Sequence, residues 1–178
     1  LPKNGVFEVI RLEPKDRVVG AGIASDSAEL VFVTSNAQLL HFPASKVRPQ
    51  GRAAAGMAGI NLDAKAEVIG FFVAAPDAVI ATIAENSTAL AGTEPGSLKL
   101  TPLAEYPAKG RATGGVRCQT FRKSEDRLKH AFVGSPELRA VSESGSPIEL
   151  PNEFGKRDGT GTPSAVGIGA IAGQFANE

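Results

Sequence analysis

The sequence has little of several residue types that would allow common kinds of site or fold. Of its 178 residues one is a cysteine, Cys118, and two are histidines, which excludes an internal disulfide and a structural zinc site built from Cys and His. Tryptophan is absent, and aromatic residues make up 6% of the chain. No apolar run approaches the ~18 residues of a membrane span, and the N-terminus lacks a signal-peptide pattern. We therefore expect a soluble protein of a reducing compartment with no membrane partner. Because the chain starts at Leu1 rather than Met, we also expect a piece of a longer protein.

Charge is balanced overall but uneven along the chain. Lys and Arg number 19 and Asp and Glu number 19, which excludes a uniformly basic protein. Residues 41–62 nevertheless carry three cations and no acid, and residues 99–130 carry eight cations against three acids. Two basic segments are therefore hidden within a neutral composition.

Short β-branched runs separated by turn residues indicate an all-β fold. The chain has 20 glycines and 12 prolines, and no stretch between them shows a clean helical period over 12 or more residues. Short strands at this spacing are typical of a sandwich, barrel or propeller. The runs cover residues 6–10, 30–34, 68–73, 78–82 and 131–133.

An internal repeat favours the propeller. A shift of 50 positions places residues 10–20 on 60–70 with their apolar positions matched. A shift of 48 places Thr34 on Thr82, and a polar surface-loop insertion at 85–95 brings Gly51-Arg52 into line with Gly110-Arg111. One four-stranded sheet cannot bury both of its faces, but several packed around an axis can.

A third, weaker copy extends the repeat to the end of the chain. Val141-Ser142 takes the place of Val33-Thr34, and Lys156-Arg157 takes the place of the Gly-Arg pair. The resulting repeat units are residues 1–29 (partial), 30–77, 78–136 and 137–178, within a single domain over 1–178.

These elements resemble a known family. Gly-Arg-x-x-x-Gly occurs at 51–56 and at 110–115, and residues 98–111 read like one blade of the C-terminal β-pinwheel domain of the A subunit of bacterial type IIA topoisomerases, meaning DNA gyrase and topoisomerase IV. The resemblance implies an all-β, propeller-like β-pinwheel of four-stranded blades. About three to four blades fit in this chain, whereas the family usually has five or six. We therefore expect either a piece of a larger pinwheel or a shortened pinwheel.

The resemblance also implies a function and its partners. Family domains of this kind are non-catalytic: they bind double-stranded DNA and bend or wrap it, and so control supercoiling or decatenation by the parent enzyme. The implied partners are the B subunit and the rest of the A subunit, at the nucleoid in the bacterial cytoplasm. The domain itself is expected to need no cofactor, since ATP and Mg act elsewhere in the parent enzyme.

The gyrase-box position is degenerate in this sequence. Gyrases carry Gln-Arg-Arg-Gly-Gly-Lys-Gly in one blade loop, and here one Arg and the Lys are missing. This loss favours a topoisomerase IV-like role, or a pinwheel whose true box lies outside this chain. The sequence does not distinguish gyrase from topoisomerase IV. The aligned positions are Gln50, Gly51, Arg52, Ala53, Ala54, Ala55 and Gly56.

The basic residues of the two segments are the candidate DNA contacts. Equivalent positions in a repeat fold line up along one side, and a stripe of cations suits phosphate contact without sequence readout. The predicted contacts are Lys46, Arg48, Arg52, Lys99, Lys109, Arg111 and Arg117.

The charge distribution and the weak third copy also fit two other functions. The zero net charge and the low basic density after residue 131 also suit a propeller-type protein–protein interaction module without nucleic-acid binding, and the eroded third copy suits an inert spacer. His41, His130 and Tyr106 lack partners at catalytic or metal-ligand spacing, so we interpret them as structural and expect no catalytic or metal site.

Overall fold

The computed structural model describes residues 9–51, 54–90 and 93–173. Within these residues the chain forms eleven β-strands and two single-turn 3-10 helices, Ala44–Lys46 and Leu103–Glu105, which confirms the all-β prediction. The strands are β1 (Glu29–Thr34), β2 (Gln38–Pro43), β3 (Val68–Ala74), β4 (Val79–Glu85), β5 (Ser97–Pro102), β6 (Val116–Arg117), β7 (Arg127–Gly134), β8 (Leu138–Ser142), β9 (Pro147–Ile148), β10 (Thr162–Pro163) and β11 (Ile168–Gly173).

The strands form three antiparallel sheets that exchange strands. Sheet I has the order β3-β1-β2-β6, sheet II the order β10-β5-β4-β7, and sheet III the order β11-β8-β9. In the chain β6 lies between β5 and β7, and β10 lies between β9 and β11. Sheets I and II therefore each take an edge strand from the following part of the chain, which covers an otherwise open sheet edge.

Sheets I and II follow one plan. Strands β2 and β5 end at Pro43 and Pro102, and each runs directly into a 3-10 helix. Proline is tolerated at the end of a strand, where the amide hydrogen it lacks is not needed for the ladder. The following residue then donates its amide back across the hairpin, Ala44 to Ala28 and Leu103 to Ala78, at 2.8 Å in both sheets.

All three sheets share a β-bulge, which corrects the repeat alignment. The register shifts just before Thr34 where β1 pairs with β3 in sheet I, and just before Ala84 where β4 pairs with β7 in sheet II. In sheet III the corresponding bulge is on β11, where it pairs with β8. Ala84 is therefore the counterpart of Thr34, and the expected match of Thr34 with Thr82 is wrong by two residues. A shift of two keeps every side chain on the same face of its strand, so the apolar pattern did not reveal the error.

The core lies between the sheets. In β1, Val31 and Val33 face sheet II, whereas Leu30 and Phe32 alternate with them and belong to an apolar cluster on the other face of sheet I. Sheet II is covered on both faces, and its second face packs against sheet III through Phe132. Central strands buried on both sides explain why the sequence shows continuous apolar runs rather than strict alternation.

The N-terminal segment is not part of a sheet. Residues 9–27 are exposed and contain no strand, so the run at 6–10 does not form the expected strand where the structure describes it. Residues 6–8 lie outside the described part of the chain. The segment passes close to β3: a Cβ at Gly20 would lie 3.0 Å from the carbonyl oxygen of Phe71, so a side chain here would require a small shift of the backbone.

Candidate nucleic-acid interface

Two connecting segments run along the outer edges of sheets I and II. Crossover 1 (residues 106–117) runs beside β2, where Lys109 donates its amide to the carbonyl of His41 at 3.1 Å, and ends in β6. Crossover 2 (residues 152–163) runs beside β5, where Gly155 donates to Leu100 at 2.8 Å, and ends in β10. Both lie at the sheet edges opposite β3 and β7, which contact each other.

Four of the predicted DNA contacts are exposed cations along the edge of sheet I. Lys46 closes the 3-10 helix that follows β2 and Arg48 comes two residues later, while Lys109 and Arg117 lie in crossover 1. Among the described residues, no hydrogen bond or ion pair engages any of these four side chains. Their charges are therefore available to an external anion.

Arg111 is half-buried and partly used within the protein. Its guanidinium donates to the carbonyl of Ala58 at 2.7 Å, and the next residue, Ala112, donates its amide to Gly59 at 2.5 Å. These bonds fasten crossover 1 to residues 57–61, just after the degenerate box. A guanidinium has five donors, so this contact leaves others free for a phosphate.

The described gyrase-box positions lie at the surface next to this contact. Ala54 donates its amide to Gly51 at 3.0 Å, and Gly56 has φ +82°, a conformation that favours glycine. Gln50, Gly51, Ala55 and Gly56 are exposed and Ala54 is half-buried. Arg52 and Ala53, also predicted positions, lie outside the described residues.

Lys99 does not fit its predicted place in the interface. It is 3% exposed on β5, and its ammonium donates to the carbonyls of Lys156 at 2.9 Å and Arg157 at 2.5 Å. Burial lowers its pKa to about 8. Nothing in the sequence indicated this, because a lysine in a strand can point to either face and the crossover that covers Lys99 comes over 50 residues later. Lys99 is therefore not a surface contact.

Lys156 and Arg157 lie at equivalent positions in the candidate interface but were not among the predicted contacts. Crossover 2 runs beside β5 in the same way as crossover 1 runs beside β2. Arg157 is therefore the counterpart of Arg111. Lys156 is exposed and Arg157 is half-buried. The signal was present in the sequence, where Lys156-Arg157 already aligned with the Gly-Arg pair.

Other cations of the second basic segment are neutralised within the protein. Arg127 pairs with Glu85 at 2.6 Å, and Lys129 lies 2.7 Å from Glu143 and 3.7 Å from Glu85. The hydrogen bond from Lys129 holds the pKa of Glu143 below its usual range. Among the described residues, the exposed cations on the crossovers and at the end of β2 have no such acidic partner.

Fold and site together define a strand-exchanging, propeller-like β-pinwheel whose outer edge carries unpaired cations. The chain belongs to the family described as "DNA gyrase C-terminal domain, beta-propeller", which it matches over residues 28–75 and 89–135. This confirms the resemblance to the C-terminal domain of the A subunit of type IIA topoisomerases.

Longer relatives agree with this assignment. The chain is 32% identical over 142 residues to the DNA gyrase A subunit of Deinococcus deserti, a match that covers 78% of this chain and 17% of the relative. It is 29% identical over 150 residues to the DNA gyrase A subunit of Mycobacterium bovis, covering 82% of this chain and again 17% of the relative. The chain thus spans about a sixth of these relatives.

Solved structures support the fold. The C-terminal domain of DNA topoisomerase IV superposes with a TM-score of 0.75 at 22% identity, covering 92% of this chain and 52% of that one. The DNA gyrase A C-terminal domain superposes with a TM-score of 0.71 at 16% identity, covering 92% and 56%. In the part of the chain that the structure describes, no helix is both long and apolar enough to cross a membrane.

Proposed function

We propose that this chain binds duplex DNA along the outer edge formed by its crossovers, and bends it. The observation that carries the proposal is the set of exposed cations without protein partners at the end of β2 and on crossover 1, with Arg157 repeating the position of Arg111 on crossover 2. Such contacts bind the phosphate backbone with little sequence preference.

Bending follows from repeating the contacts on successive sheets. A straight duplex touches a curved edge at one place, whereas a bent one can reach the crossovers of neighbouring sheets. Bending a site of 20–30 bp costs of order 1–6 kcal/mol, which additional phosphate contacts offset. The four repeat units at 1–29, 30–77, 78–136 and 137–178 are part of this proposal, as units that place equivalent loops side by side.

The wider context is part of the same proposal. The domain would act without a cofactor of its own, within the A subunit of a bacterial type IIA topoisomerase whose ATP and Mg sites lie elsewhere. Its partners would be double-stranded DNA, the B subunit and the rest of the A subunit, at the nucleoid in the cytoplasm. By controlling how DNA is bent, it would influence supercoiling or decatenation by the parent enzyme.

Salt dependence of DNA binding tests the proposal. We expect affinity for a duplex of about 40 bp to fall steeply with salt, because each neutralised phosphate contributes a slope of about 0.9 in log K against log salt. Replacing Lys109 and Arg111 by Gln should reduce the slope by roughly 2.

A matched control removes two charges elsewhere. Lys65 and Arg127 line a groove beside the β1–β2 turn, and no residue of either crossover lines this groove. The Lys65→Gln/Arg127→Gln variant should therefore keep the wild-type slope. An unmodified chain that shows no salt-dependent binding at low ionic strength would refute the DNA proposal and leave the protein-interaction function in its place.

A further inference from the structure

The face of β5 that lies under crossover 2 is polar and buried. Ser97, Lys99 and Thr101 alternate along the strand and are 0%, 3% and 0% exposed. In sheet I the corresponding face of β2 is largely apolar, with Leu40 and Phe42 buried in an apolar cluster. The two sheets therefore hold their neighbouring segments by different interactions.

The Lys99 side chain reaches the basic turn of crossover 2 from inside. Its ammonium donates to two successive carbonyls, those of Lys156 and Arg157, at 2.9 and 2.5 Å. Its stem packs against Gly155, where a Cβ would come within 2.9 Å of the Lys99 Cγ. A side chain at this position would therefore force the lysine or the turn to shift.

Other bonds hold the backbone of the same turn. The single hydrogen of the Tyr106 hydroxyl is shared between the carbonyls of Cys118 at 3.4 Å and Arg157 at 3.5 Å, and Thr120 donates its hydroxyl to the carbonyl of Asp158 at 2.7 Å. Gly159 closes the turn by donating its amide to Lys156 at 3.0 Å. Because these carbonyls point toward the protein, the Lys156 side chain is left exposed and that of Arg157 half-buried at the surface.

A buried ammonium is a costly way to achieve stability alone. Transfer of a charge out of water is unfavourable unless hydrogen bonds compensate, and an apolar residue of similar size is often as stable or more so. What the charge does provide at this position is orientation. It fixes the carbonyls of two successive residues, and this positions the side chains of those residues.

We propose that Lys99 is a positioning residue for DNA binding, whose buried ammonium fixes the Lys156-Arg157 turn so that both cations reach a phosphate backbone. This inference rests on the proposed DNA-binding function. Lys99 touches no DNA itself and acts only through the turn.

A double-mutant cycle on the chain tests this role. The Lys156→Gln/Arg157→Gln variant should lower the salt slope for a 40 bp duplex by about 1 to 2. Lys99→Met should lower it by a similar amount, and should add nothing further when combined with Lys156→Gln/Arg157→Gln. Ser97→Ala is the matched control, since Ser97 contacts Gln119 rather than the turn and should leave the slope unchanged.

Amide exchange separates the positioning role from the DNA function. In Lys99→Met the amides of Gly155 and Gly159 should exchange faster while those of sheet I do not. If Lys99→Met does not fold, Gly155→Ala serves instead, because its Cβ displaces the turn from Lys99. An unchanged salt slope in a folded variant, or an equal loss in the Lys156→Gln/Arg157→Gln background, would overturn the inference. If the wild-type chain shows no salt-dependent binding, the proposed DNA function is wrong. If amide exchange in Lys99→Met is unchanged, the positioning role of Lys99 is wrong.

Discussion

At the scale of single residues, buried polar side chains connect crossovers to sheets. His41 lies on β2 with its Nδ1 at 2.8 Å from the Glu29 carboxylate and its Nε2 at 2.9 Å from the carbonyl oxygen of Tyr106. Each ring nitrogen therefore faces a hydrogen-bond acceptor. The imidazole thus joins β1, β2 and the start of crossover 1, a structural role.

The pH dependence of stability should reveal the buried Lys99. Burial lowers its pKa from 10.5 to about 8, with the Asp158 carboxylate raising it and the Arg157 guanidinium lowering it further. A base with a lowered pKa in the folded state is destabilising while charged, so the penalty is complete below about pH 8 and disappears as pH rises to 10.5.

The measurement is the difference in unfolding free energy between the wild type and Lys99→Met. We expect this difference to rise in favour of the wild type between pH 8 and 10.5, by at most about 1.4 kcal/mol per pH unit. Burial raises the pKa of Cys118 to about 12, so its thiol stays neutral over this range. A difference that does not change with pH would show that Lys99 is not desolvated in the folded chain.

At the scale of elements, exchange of β6 depends on one glycine. Gly115 precedes β6 with φ +73°, and a Cβ there would lie 2.2 Å from the carbonyl oxygen of Leu39. Both the backbone conformation and the close approach to β2 exclude a side chain.

Gly115→Ala should therefore destabilise the protein by about 2 kcal/mol or more. Chemical denaturation checks this, and the neighbouring Gly114→Ala is the control. At Gly114 the nearest atom to an added Cβ is 3.9 Å away, so that substitution should be nearly neutral. Equal effects of the two substitutions would contradict the assigned pairing of β6 with β2.

At the scale of the whole molecule, strand exchange makes the sheets depend on one another. Sheet II receives β10 and the cover over Lys99 from residues that follow β8, and its face around Phe132 packs on Leu138 and Ile168 of sheet III. Sheet II is therefore incomplete without the chain beyond residue 136.

Removing residues 137–178 should lower the unfolding free energy by several kcal/mol. Burial of a large apolar side chain contributes about 1.5–3 kcal/mol to stability. The removed segment contains two apolar side chains that pack against Phe132, so their burial and part of its own are lost. Denaturant unfolding of the shortened chain measures this. Removal of residues 1–16, whose described part is exposed, is the control and should change little. A shortened chain as stable as the intact one would show that the sheets fold independently.

Much of this organisation was predictable because it depends on local chemistry. Turn residues between β-branched runs indicated an all-β fold, and the register of Gly51-Arg52, Gly110-Arg111 and Lys156-Arg157 identified the loops that carry cations. The repeat alignment around Thr34 was wrong by two residues, because a period of two makes such a shift invisible in the apolar pattern.

The sequence by itself determined the β class, the repeat and the recurring basic loops, since strand propensity, turns and repeat spacing are properties of neighbouring residues. Tertiary structure alone decided which cations are free. Lys99 points inward because crossover 2 covers β5, and Arg127 and Lys129 are neutralised because β7 lies beside Glu85 of β4. The direction and pairing of a strand side chain depend on the segment packed against it, and here that segment comes from a distant part of the chain.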